Sequence, residues 1–265
     1  MNQRERRRRR QVNELVDDVA IEEFTVAHGK PQLPPVAIVI AAYKELENIG
    51  AVVSTMPGTL CGLKTGVIVV IDGEEDGSAE IIRDHQDYAV IAPVNRGQGA
   101  ALRLGYRVAR EYGAQYIITA DADGQTDPND LEGVLRPLVD NAADFVNGSR
   151  RLGRTESRGT IRNIGVVLFA AIITMLTGTQ VTDTANPIRA MRADFSSQLT
   201  LDEPQFQASE LLISAIMSGA RYQERPITMK ARFKGSSKKG GNFAYGANYA
   251  KVVFRTWIRE RASRA

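Results

Sequence analysis

An α/β fold with a mostly parallel sheet flanked by helices is predicted by three observations. Between Val36 and Gly148, short apolar runs alternate regularly with amphipathic segments. Those runs are nearly continuous, as in strands covered on both faces. The chain of 265 residues is 43% hydrophobic and 25% charged, ordinary values for one large α/β domain. Residues 1–34 read as a basic N-terminal tail and helix, 35–242 as the α/β domain, and 243–265 as a C-terminal amphipathic helix.

The elements follow in order. Val12, Leu15, Val16 and Val19 fall at helical spacing and predict a short helix with one apolar face. Pro31, Pro34 and Pro35 then separate it from the β-branched strand Val36 to Ala42. A helix over 46–56 precedes a strand over 67–71, and a helix over 78–86 precedes a strand over 89–94. Helix 99–112, strand 116–120, helix 131–141 and a strand starting at Phe145 complete the alternation. Beyond Arg150 come a basic loop to Arg162, an apolar helix over 164–176, and a strand near 188–192. A helix over 207–218, a strand over 222–233 and a final helix over 243–259 follow.

Charge and cysteine content narrow the classes. Net charge is +3, concentrated in a block from Arg4 to Arg10 and in a second cluster from Lys230 to Lys239. The first block suits a solvated tail, an anionic lipid surface or nucleic acid. No aromatics are interleaved with it, which argues against nucleic acid. Cys61 is the one cysteine, so an internal disulfide is excluded. The arginines lead into a charged segment rather than an apolar leader core, and the stretch from Ile164 to Leu176 is shorter than the ~20 residues a span needs. The expectation is a cytoplasmic chain, soluble or peripheral at the inner face of a membrane, with a homodimer through the N-terminal helix as one option.

Chemistry concentrates after strand 116–120, where Asp121-Ala122-Asp123-Gly124-Gln125 carries two carboxylates one residue apart. Extended backbone points alternate side chains the same way. Two hard oxygen donors suit Mg²⁺ or Mn²⁺, which in turn holds a diphosphate. An ordinary turn also uses Asp, Gly and Pro. Three more polar clusters sit at strand ends: Ala41-Ala42-Tyr43-Lys44-Glu45, Asp72-Gly73, and Asn95-Arg96-Gly97-Gln98-Gly99. Sites in such sheets lie beyond the carboxyl ends of the strands. Asp72 suits a base N–H or ribose hydroxyls, and Gly97 and Gly99 suit close backbone approach at a helix N-terminus. Tight packing of that turn explains the same glycines.

The order of these clusters resembles family-2 glycosyltransferases, and within them the dolichyl-phosphate sugar synthase-like group. Tyr43 to Ile49, Asp72 to Ser78, Asn95 to Ala101, Asp121 to Pro128 and Gly148-Ser149-Arg150 carry the likeness. It continues through Asp183-Thr184, Glu210-Leu211-Leu212, Glu224-x-Pro226-Ile227 and Arg232 to Lys238. Against that pattern Ala41 replaces a Pro, Lys44 an Asn, Ile71 an Asp and Pro187 a Gly.

The resemblance implies a GT-A fold and an inverting, metal-dependent transfer of sugar from a nucleotide diphosphate sugar, UDP being favoured over GDP. It places Mg²⁺ or Mn²⁺ on Asp121, Asp123 and Gln125. Ala41, Tyr43, Glu45, Asp72, Asn95, Gly97, Gly99 and Ala122 would line the nucleotide sugar, with Arg232 and Lys238 closing over the diphosphate. Glu210 is the candidate base, its plainer role being to orient a cation or cap its helix. Arg150 and Arg162 would meet an acceptor phosphate. A polyprenyl phosphate and a soluble small molecule both remain open as acceptor, as does a non-catalytic nucleotide-binding scaffold.

Overall fold

The computed structural model describes residues 3–73, 77–85, 87–156, 160–231 and 243–264. A long helix, α1 (Gln3–His28), leads into β1 (Val36–Ala42), α2 (Leu46–Ser54), β2 (Thr59–Leu60), β3 (Leu63–Asp72), α3 (Ser78–Asp84) and β4 (Tyr88–Ala92). Next come α4 (Gln98–Glu111), β5 (Tyr116–Asp121), α5 (Leu131–Val139), β6 (Phe145–Thr155) and α6 (Thr160–Thr177). β7 (Arg189–Arg192), α7 (Gln207–Met217), β8 (Tyr222–Met229) and α8 (Phe243–Ala262) finish the chain.

The strands form one sheet in the order β2-β3-β1-β5-β7-β6-β8, with β4 also pairing β3. β4, β3, β1 and β5 run parallel, whereas β7 runs antiparallel to both β5 and β6. The parallel half places the ends of β1, β3 and β5 side by side: Ala41 stands opposite Asp121, and Ala42 opposite Ile71, beside Asp72. This register converts four clusters that are distant in sequence into one rim.

Alternation in β1 feeds two cores. Ala37 and Val39 join Ile68, Val70 and Leu104 on one face, and Ile38 and Ile40 join Ile49, Val52 and Leu131 on the other. Full burial of a side chain such as Ile38 or Ile40 stabilises by roughly 1.5–3 kcal/mol. Ala20 and Phe24 of α1 and Tyr249 and Val253 of α8 belong to the first core, so both terminal helices pack on the domain rather than standing off it.

Three expectations change. α1 is a single helix through the arginine block, and its buried face carries Ala20 and Phe24, while Val12, Leu15 and Val19 are exposed. The docking face is partly polar, which apolar spacing does not register: Asp17 pairs with Arg96 at 2.6 Å, and Arg96 also donates to the Asn13 carbonyl. β6 continues through Arg151 and Arg154 where a loop was expected, because it pairs in parallel with β8 across a register shift between Ser149 and Arg154. β2 was not foreseen; two residues pairing β3 give no periodic signal.

Candidate active site

A cavity of about 500 Å³ opens at the strand ends. Ala41, Tyr43, Glu45, Asp72, Asn95, Gly97, Asp121, Ala122 and Asp123 all line it, as do Gln98 and Ala101. The opposite wall is Pro204, Gln205, Phe206 and Tyr245.

Each carboxylate in the cavity is held by the chain. The Glu45 carboxylate accepts from Asn48 Nδ2 at 2.8 Å, just after Lys44 turns the backbone at φ +54°. Asp72 is nearly buried and accepts from the backbone N–H groups of Arg96 at 3.0 Å and Gly97 at 2.7 Å. Burial pushes the Asp72 carboxyl above its ordinary pKa, against the pull of those N–H groups and of Arg96 and Arg103. Asp121 accepts from Gln98 Nε2 at 3.0 Å, and Asp123 from the Gln125 N–H at 3.1 Å. Asp121 and Asp123 thus reach the same cavity, Asp121 as the last residue of β5 and Asp123 in the turn after it.

The two glycines are explained by what stands against them. Gly97 sits at φ +91°, and a Cβ there would lie 2.9 Å from the Pro204 carbonyl. At Gly99 a Cβ would lie 2.0 Å from the Glu203 carbonyl, and the Gly99 N–H donates to the Pro204 carbonyl at 3.0 Å. Gly99 therefore supports the 203–204 backbone and is not a lining residue.

Other expected residues stand apart from the cavity lining. Gln125 donates from Nε2 to the Lys230 carbonyl at 3.2 Å. Arg150 grips buried Asp183 with Nε and Nη2 at 2.6 and 2.7 Å. Burial alone would raise the Asp183 carboxyl, but Arg150 holds it below its ordinary pKa. Glu210 is fully buried on α7, accepts the N–H groups of Asp202 and Glu203 at 2.8 and 2.9 Å, and pairs with Arg259 at 2.9 Å. Burial pushes its carboxyl up, which would suit a base; its position behind the wall does not. Arg232 and Lys238 lie outside the described residues, as does the Arg162 side chain.

Gln98 and the 204–206 wall escaped the sequence reading. Gln98 lies between Gly97 and Gly99, and sequence alone does not show that its amide reaches Asp121. The wall is about a hundred residues from the turn it touches, and only the close approach at Gly97 and Gly99 marks it.

Residues 37–200 match the sequence profile of Glycosyl transferase family 2. The chain belongs to that family. This glycosyltransferase is 27% identical over 225 residues to a dolichyl-phosphate hexose transferase of Haloferax volcanii, covering 85% of this chain and 95% of that one. It is also 27% identical over 215 residues to a UDP-N-acetylglucosamine–dolichyl-phosphate N-acetylglucosaminyltransferase of Methanococcus voltae, with 72% and 83% covered. Among solved structures, glucosyl-3-phosphoglycerate synthase of Mycobacterium tuberculosis, in complex with Mn²⁺, UDP-glucose and phosphoglyceric acid, superposes with a TM-score of 0.67. That match has 16% identity and covers 89% of this chain and 83% of the other, and it shows the shared GT-A fold.

Proposed function

We propose that this enzyme moves a sugar from a UDP-sugar to a polyprenyl phosphate, with inversion and with a divalent metal at Asp121 and Asp123. The carrying observation is that Tyr43, Glu45, Asp72, Asn95, Asp121 and Asp123, from four separate strand ends, line one cavity. Among the described residues no cluster of three or more His, Cys, Asp or Glu side chains is placed to hold a metal. Two hard carboxylates still fit Mg²⁺ or Mn²⁺, because such ions are commonly bound by one or two carboxylates with substrate phosphates and water completing the shell. Bound there, the metal would supply charge neutralisation for the departing diphosphate.

The chain's own groups divide the remaining work. Tyr43, Glu45 and Asp72 orient the nucleoside, and the 204–206 wall confines the sugar. Glu45, Asp72, Asp121 and Asp123 each already accept a hydrogen bond from the chain, which restrains them as bases. An acceptor phosphate is ionised near neutral pH and needs no base, which favours it over a hydroxyl.

Two observations support a lipid acceptor. The relatives described above are named as dolichyl-phosphate transferases. Helices α6 and α8, tied together by Trp257 Nε1 at the Leu176 carbonyl, also expose Leu168, Met175, Phe254 and Ile258, apolar side chains suited to an isoprenoid chain or lipid surface. No described helix is long and apolar enough to cross a membrane. The test offers UDP-glucose, UDP-N-acetylglucosamine and GDP-mannose with Mn²⁺ to a detergent-dispersed polyprenyl phosphate or to 3-phosphoglycerate. A lipid-linked sugar from a UDP donor is expected. Transfer only to the soluble acceptor overturns the lipid reading, and transfer only from GDP-mannose overturns the UDP preference.

A second copy of the chain is proposed as partner for the outer face of α1, where Val12, Leu15, Val19 and Val26 are exposed. Arg8 lies one turn before that stripe and Glu22 within it, between Val19 and Val26, so an antiparallel pairing centred on Leu15 sets Arg8 of one copy against Glu22 of the other. Sedimentation is expected to show a dimer that Leu15→Glu dissociates; a monomer at every concentration rules this out.

A further inference from the structure

The wall facing the strand ends is held from behind by both terminal helices. From α1, Arg10 donates through Nε and Nη2 to the two carboxylate oxygens of Asp202 at 2.7 and 2.6 Å. From α8, Arg255 pairs with Glu203 at 2.8 Å, and Arg259 with Glu210 at 2.9 Å and Asp202 at 3.6 Å. Arg259 also donates to the Thr200 carbonyl at 2.6 Å, and Arg103 of α4 to the Glu203 carbonyl at 3.2 Å. The next residue, Pro204, accepts the Gly99 N–H through its carbonyl. Phe206, a non-glycine residue at φ +59°, then presents its ring to Tyr245 and Tyr249 at 4.8 and 5.4 Å. A conformation of that kind persists only where its surroundings hold it.

We propose that Arg10 is a positioning residue: through Asp202 it sets the Pro204-Gln205-Phe206 wall against the Gly97–Gly99 turn. A helix outside the family-matched region thereby shapes the reaction cavity. Arg10 makes a bidentate grip, the geometry that confers orientation as well as attraction. Asp202 is 14% exposed, and the wall begins two residues beyond it. Burial alone would raise the Asp202 carboxyl, yet the Arg10 hydrogen bonds and charge hold it below its ordinary pKa. Arg10 is itself 51% exposed, so the pair is screened by salt and adds little to global stability. Its effect is local, on how often the wall leaves the turn.

Amide hydrogen exchange on the full chain tests this, comparing wild type with Arg10→Ala and Arg10→Lys. In Arg10→Ala, exchange at Gly99, Asp202 and Glu203 is expected to quicken by up to about fivefold, the range of an exposed ion pair. Arg10→Lys falls between, and amides of β1 and β5 do not change. In sugar transfer, which rests on the function proposed above, Arg10→Ala lowers kcat/KM for the acceptor by a similar factor and Arg10→Lys restores part of it. Affinity for uridine diphosphate stays within twofold. Unchanged exchange at those three amides overturns the proposal, as does a rise shared equally by β1 and β5. Faster exchange beside an unchanged kcat/KM overturns its functional half. A wild type that transfers no sugar counts against the transferase reading alone, since the exchange arm still decides.

Discussion

Asp123→Ala is expected to lower sugar transfer by about a thousandfold or more while leaving the fold intact. The charge that grows on a departing diphosphate is the largest electrostatic load in the reaction, and a bound metal offsets several kcal/mol of it. Each 1.36 kcal/mol is a factor of about ten in rate. Asp123 is one of two carboxylates that fit the metal, and a lone Asp121 leaves a single anionic ligand. The structural cost is small by comparison. Within the chain the Asp123 carboxylate accepts the Gln125 N–H, and losing a bond of that kind costs about 1 kcal/mol. Rates at saturating Mn²⁺, with thermal melts alongside, check this. Wild-type rates in the variant would remove Asp123 from the reaction.

Glu210→Gln is expected to act on the wall rather than on proton transfer. The carboxylate holds two backbone N–H groups and Arg259 in a fully buried place, so its replacement costs about 2–3 kcal/mol. Burial raises its carboxyl in the folded chain. Its contribution to stability is therefore complete below the unfolded pKa and is lost as pH rises through the folded one. The advantage of Glu over Gln should shrink accordingly across a pH series of urea unfolding. Activity should fall, but the residual pH–rate profile should keep its shape. Wild-type stability with loss of the acidic limb would instead make Glu210 the base.

Most of the cavity lining was legible because it is built from strand ends. The runs 36–42, 67–71 and 116–120 are apolar enough to read as buried strands. Parallel pairing of buried strands then leaves their polar termini on one rim. What was not legible depends on contacts across the chain. The reversal of β7 is set by neighbours β5 and β6, not by its four residues. The docking face of α1 is hidden from apolar spacing because it includes ion pairs such as Asp17–Arg96. A carboxylate on a helix after Pro204 suits a base or the orienting of a cation, and sequence shows nothing of the backbone wrapped around Glu210 or of its pairing with Arg259. The Gly97 and Gly99 pair suits ligand approach and tight packing alike from sequence, and the carbonyl groups of 203 and 204 that supply the packing are invisible there.

The cavity beyond β1, β3, β4 and β5 is proposed as a metal-dependent site for a uridine diphosphate sugar. Calorimetric titration of the wild type with UDP and with GDP, each with and without Mn²⁺, tests it most directly. UDP binding is expected to tighten at least tenfold with Mn²⁺ and to exceed GDP binding. Metal-independent binding would contradict the role given to Asp121 and Asp123, and binding of neither nucleotide would contradict the site itself.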